Sequence, residues 1–247
     1  MKLLLLLLAK GGLGKLALTG GSMLVSIAVY SLSFGWPFAV GLVTLILVHE
    51  MGHFIAARQC GLDVGAPVFI PFVGAWIALK DAHMAPRTEA HVAIAGPMLG
   101  SVGAFACYLL GVGGHGHIYM ALAQAGFLLN LFNLLPLSPL DGGRLVGVIS
   151  PKLWYAGFPL LGAMFLWRPS PMLILIAVMA LPQVWATVRG GAALLKPTLG
   201  TTAEKVKYGA QYLILAAVLA TMAFEAHESL SGRRHDDRAA AHQGSGA

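Results

Sequence analysis

His49-Glu50-Met51-Gly52-His53 sits inside an apolar run, about Phe38 to Arg58, that is long enough to cross a bilayer. Inside hydrocarbon the backbone must satisfy its own polar groups, so such a run folds as a helix. At 3.6 residues per turn, positions i and i+4 share a face. His49 and His53 can therefore offer two imidazole nitrogens to one Zn²⁺, with Glu50 beside them as a base. The chain has nine histidines, and at its composition the expected number of chance H-E-x-x-H matches is roughly 0.007. A histidine pair serving only as core packing is also disfavoured, because polar groups on a membrane helix are expensive unless they have a partner or a function.

The rest of the chain fits a membrane setting. It is 57% hydrophobic and 11% charged, with a mean hydropathy of +0.77, against about 25% charged residues in a soluble globular domain. At about 20 residues per span, 247 residues leave room for six or seven spans and no large appended domain. The net charge of +6 comes from Lys and Arg scattered at span boundaries. They read as topology determinants and give no stripe for nucleic acid. Cys60 and Cys107 form neither a disulfide framework nor a thiolate metal site.

The expected fold is an all-α polytopic membrane protein with a six-span core and a possible seventh C-terminal helix. Residues 1–20 form a cytoplasmic or interfacial segment, 21–224 the transmembrane domain, and 225–247 a polar tail expected to be disordered. Spans are expected at about Ser22–Phe34, Phe38–Arg58, Ala90–Leu110, Tyr119–Leu135, Leu153–Trp167, Pro171–Val188 and Tyr208–Phe224. Gly35-Trp36-Pro37 breaks the first pair, and Gly96, Gly100 and Gly103 suit close helix packing. Gly61 to Leu79 is rich in Pro, Gly, aromatic and β-branched residues. It reads either as a re-entrant loop or β-hairpin near the membrane surface, or as an ordinary hydrophobic loop under the bundle. Lys10, Lys15 and Arg58 place both ends of the first hairpin in the cytoplasm by the positive-inside rule. At 1.5 Å rise per residue the pentad then lies roughly 7 to 14 Å below that surface.

Two histidines leave a catalytic zinc site one protein ligand short. Asp141 is the leading candidate, since it follows prolines that end a membrane helix and precedes glycines that permit close backbone approach. On Asp141-Gly142-Gly143 alone, an Asx turn is the better explanation of the residues. The longer text, Asn130-Leu131-Phe132-Asn133-Leu134-Leu135-Pro136 through Asp141-Gly142-Gly143-Arg144, taken with the earlier pentad, resembles the site-2 protease family of intramembrane zinc metalloproteases. That resemblance runs from about Ser22 to Trp154 and matches the family's compact form, without PDZ or nucleotide-sensing domains.

The resemblance implies Zn²⁺ held by His49, His53 and Asp141, with Glu50 as the catalytic base. It makes Asn133 the asparagine of the second motif, holding the substrate strand or the oxyanion, and leaves Asn130 as the weaker candidate, equally a helix-packing residue. The implied activity is hydrolysis of peptide bonds within or next to transmembrane segments. Expected partners are the lipid bilayer and single-pass or signal-anchor membrane proteins, not nucleic acid. The seventh apolar stretch departs from the family core, and the implied chemistry does not depend on it. Two other readings are a silent protein that binds membrane helices without cutting them, which would not need Glu50, and a metal transporter, which would need further ligands along a path.

Overall fold

A computed structural model describes residues 12–65, 67–71, 74–76, 84–167, 171–188 and 200–244. The leucine-rich opening through residue 11, Lys80, and the stretch 77–79 of the apolar loop lie outside the described residues.

The chain runs α1 (Gly12–Phe34), α2 (Trp36–Gln59), a hairpin of β1 (Val68–Ile70) and β2 (Gly74–Trp76), α3 (Pro86–Val112), α4 (His117–Asn133), α5 (Asp141–Ile149), a 3₁₀ turn over Pro151–Leu153, α6 (Trp154–Trp167), α7 (Pro171–Val188) and α8 (Thr202–Gly244). Among the described residues four helices are long and apolar enough to cross a membrane: Ala17–Phe34, Trp36–Gln59, Pro86–Val112 and Thr202–Gly232. The all-α polytopic architecture and the hairpin agree with the sequence reading.

Punctuation sets the element boundaries. Gly35 takes φ +78° and Pro37 sits in the first turn of α2, so the chain turns sharply between α1 and α2. Such a φ suits glycine and disfavours other residues. Gly61, at φ +77°, closes α2, and the Leu62 N–H returns to the Ala57 carbonyl at 3.0 Å. This is a Schellman ending, and Leu62 packs beside Ala57, as that ending favours.

In lipid there is little hydrophobic drive between helices, so close approach of small side chains holds a bundle together. The core follows that rule. Ala104, Ala123, Ala223 and Ala226 surround Met120, Phe127 and Leu219 where α3, α4 and α8 meet. A Cβ on Gly126 would come 2.8 Å from that of Ala104. Gly52, inside the pentad, packs on the Ala95 and Gly96 backbone of α3, leaving no space for a methyl group.

The hairpin is tied to α1. Thr19 Oγ1 donates to the Pro67 carbonyl (2.7 Å), and the Phe69 N–H donates to Ser22 Oγ (3.1 Å). β1 and β2 pair antiparallel with Phe69 opposite Ala75.

Two features mark the C-terminal part. The tail from Glu225 is helical through Gly244, continuous with α8. It contains no proline to end the helix, and Ala226 near its start is fully buried. The seventh stretch packs against the core. Tyr208 joins Ala90, Ala93, Ile94, Leu145 and Val148 in one cluster, and its hydroxyl donates to the Arg87 carbonyl (3.2 Å). Tyr212 Oη donates to the Leu134 carbonyl at 2.7 Å, at the start of the loop that leads to Asp141.

Candidate metal centre

His49 and His53 lie one turn apart on α2, and Asp141 is the first residue of α5. The bend between α4 and α5 brings them together. Gly142 packs against the Leu134 and Leu135 carbonyls and Gly143 against the Leu137–Ser138 backbone, so neither position has room for a side chain. Trp154 Nε1 donates to the Gly143 carbonyl (2.9 Å) and holds the turn from the other side. Arg144, one turn beyond Asp141, stands 3.9 Å from Glu89 of α3.

Three atoms converge. His49 Nε2 is 3.1 Å from His53 Nε2, His53 Nε2 is 3.1 Å from Asp141 Oδ2, and His49 Nε2 is 3.1 Å from the same oxygen. The outer side of each imidazole is already committed. His53 Nδ1 is 2.8 Å from the Val92 carbonyl, which can only accept, so Nδ1 carries the proton and Nε2 presents a lone pair. His49 Nδ1 is 2.8 Å from Asn130 Oδ1, while Asn130 Nδ2 donates to the Gly126 carbonyl at 2.7 Å. His49 is thus fixed in the same tautomer.

Two nitrogen lone pairs and a carboxylate oxygen pointing at one another cannot hydrogen-bond among themselves. A cation satisfies all three. Ligand atoms about 2.0–2.1 Å from a tetrahedral zinc lie roughly 3.3–3.4 Å apart, close to the triangle found here. The donor set therefore fits Zn²⁺, which His49, His53 and Asp141 would hold. Among the described residues this is the one group of three ligand atoms gathered within 4.8 Å.

Glu50 follows His49 on α2 and is 7% exposed. Asn133 is turned back on its own helix, its Nδ2 donating to the Leu129 carbonyl at 3.0 Å. Asn130, the weaker candidate by sequence, is the asparagine that contacts the ligand set. The available signal was its place on an apolar helix, where a buried amide requires a partner. Gly96 and Gly100 also matter in a way that generic packing did not reveal. A methyl on Gly96 would occupy the position of the His53 ring, and one on Gly100 that of the Asn130 amide.

Comparison with known proteins adds an independent line. Residues 37–116 match the family described as "Peptidase family M50". Rip3 of Mycobacterium tuberculosis, which carries a provisional zinc-metalloprotease name, is 38% identical over 116 residues, 44% of this chain and 29% of that protein. The zinc metalloprotease MJ0392 of Methanocaldococcus jannaschii is 24% identical over 54% of this chain and 40% of its own length. Stage IV sporulation protein FB of Bacillus subtilis is 28% identical over 45% and 39%. The chain thus spans well under half the length of these relatives. A solved structure titled "Site-2 Protease from Methanocaldococcus jannaschii" is 21% identical, covers 72% of this chain and 87% of that one, and aligns with a TM-score of 0.44.

Proposed function

We propose that this integral membrane protein belongs with the site-2 proteases and is a zinc endopeptidase cutting within or next to transmembrane segments of other membrane proteins. The observation that carries this reading is the convergence of His49 Nε2, His53 Nε2 and Asp141 Oδ2, each 3.1 Å from the other two, beside Glu50. When bound, zinc would supply Lewis acidity to the scissile carbonyl and bring the pKa of a water to about 7. Glu50 takes the proton of the attacking water and returns it to the leaving amide nitrogen. We assign Asn133 as a donor to substrate once its amide leaves the Leu129 carbonyl, and we place the site toward the cytoplasmic face from the Lys15 and Arg58 boundaries. Helical substrates conceal their peptide bonds, so the target segment must unwind before Glu50 can act on it.

The zinc reading is tested without a substrate. Purified native protein is expected to hold about one zinc, and Asp141→Ala to lose it or bind it far more weakly. Zinc unaffected by that substitution would mean the third ligand lies elsewhere. No zinc in either protein would favour the non-cutting, helix-binding reading.

The unwound segment needs a strand to pair with, and we place it on β2. The Phe69 N–H is taken by Ser22, so the Phe69/Ala75 pair is one whose amides point away from each other, and the Ala75 N–H faces the opposite edge. Ala75→Pro removes that donor and spares the hairpin's own bonds. Losing one hydrogen bond at about 1–1.5 kcal/mol is expected to slow cleavage roughly tenfold, with zinc content unchanged. Cleavage at the native rate in Ala75→Pro would rule out pairing at this edge.

A further inference from the structure

We infer that Asn130 is a positioning residue for the metal centre: its side-chain oxygen holds the Nδ1 proton of His49, and so keeps the Nε2 lone pair aimed at the point where His53 and Asp141 also aim. The inference rests on the zinc reading above and assigns to this residue a role beyond helix packing.

Asn130 is 1% exposed, and both ends of its amide are used. Nδ2 donates to the Gly126 carbonyl one turn earlier on α4 (2.7 Å), which leaves Oδ1 as the end facing His49 Nδ1 at 2.8 Å. Reversing the amide would set two carbonyl oxygens against each other and an N–H₂ against the imidazole N–H. The orientation is therefore locked, and with it the tautomer of His49. A metal-bound histidine is generally oriented by a partner on its other nitrogen, whose loss typically costs about 10–100-fold in metal affinity.

α3 is shaped around this contact. Gly100 leaves open the volume that Asn130 fills, and any Cβ there would overlap the carboxamide. Four residues earlier, Gly96 does the same for the ring of His53. One face of α3 thus admits two site side chains one turn apart. The two ligand histidines are steadied differently, His53 by the Val92 main chain and His49 by a replaceable side chain. That makes the role of Asn130 accessible to mutation.

The test compares zinc affinity, by chelator competition, in native protein, Asn130→Leu and Asn130→Asp. Both variants lose the donor to Gly126, so both lose some stability. Only Asn130→Asp keeps an acceptor toward His49. Expected is about a 10–100-fold loss of zinc affinity in Asn130→Leu and native or tighter binding in Asn130→Asp. Equal affinity in the two variants, whether unchanged or equally weakened, would overturn the inference and leave Asn130 a packing residue. Native protein that binds no zinc would bring down the zinc reading and this inference together, whereas native binding with no difference between the variants brings down this inference alone. Should the leucine variant not fold, ¹⁵N-histidine NMR of the zinc-loaded native protein decides: a proton on His49 Nδ1 is expected, and a proton on Nε2 would overturn it.

Discussion

Glu50→Gln will leave the protein folded and zinc-loaded while removing its ability to cut. Glutamine has nearly the same shape and can occupy the same buried position on α2, but it cannot take a proton from water. It supplies no metal ligand in the native arrangement, since the converging atoms belong to His49, His53 and Asp141. General acid–base assistance typically contributes about 10²–10⁴ in rate, and in the proposed mechanism Glu50 serves twice, first as base and then as acid. The expected fall in kcat is therefore at or above the top of that range, near 10⁴-fold. The measurement is cleavage of a model transmembrane substrate in liposomes, paired with metal analysis of the same preparation. A variant that keeps zinc and retains a tenth of the native rate would place the base elsewhere. Loss of zinc would mean that Glu50 supports the metal directly.

Gly96→Ala is the second large effect, and it comes from a residue that makes no contact with metal or substrate. Its added methyl would lie on the His53 imidazole, with ring atoms as the three nearest neighbours. Overpacking in a tight interior costs about 1–3 kcal/mol, and here relief requires moving a proposed ligand. Zinc affinity is expected to fall by at least the roughly 10–100-fold that loss of a supporting partner costs, with cleavage lost in parallel. Gly103→Ala is the control, because its Cβ would meet Val48 Cγ1 at 3.2 Å and Leu45 Cδ2 at 3.3 Å, the ends of side chains that can give way. Chelator competition on both variants separates the cases. Equal zinc affinity in the two would show that α3 does not shape the site.

The helices and the grouping of His49, His53 and Asp141 were legible in the sequence because each is written locally. The i, i+4 histidines need only a helix, and the apolar runs with Gly35, Pro37 and Gly61 as punctuation fix where helices start and stop. Asp141 was legible through the prolines and glycines around it, whose purpose is the close packing of Gly142 and Gly143 on the preceding backbone. Asn130 was ranked below Asn133 because side-chain direction on α4 depends on which face meets α2, and that is settled by packing that no single segment encodes. The roles of Gly96 and Gly100 were half legible: glycine predicted close approach, but not that the approaching group would be a ligand histidine and its partner. The extent of α8 was not legible, because the polarity after Phe224 suggested solvent and gave no sign that the helix continues past the buried Ala226.

The hydrogen bond from Tyr212 to the Leu134 carbonyl has a consequence in time. A ribosome adding about 5–20 residues per second reaches Tyr212 roughly 4 to 14 s after Asp141. During that interval all three ligand side chains have been made, yet the loop that must bring the aspartate to the histidines still lacks its tie to α8. The order of synthesis thus supplies the ligands first and their brace last. For those seconds the turn before Asp141 rests on its packing within α3 to α6 alone, and the arrival of α8 adds the last tie to it.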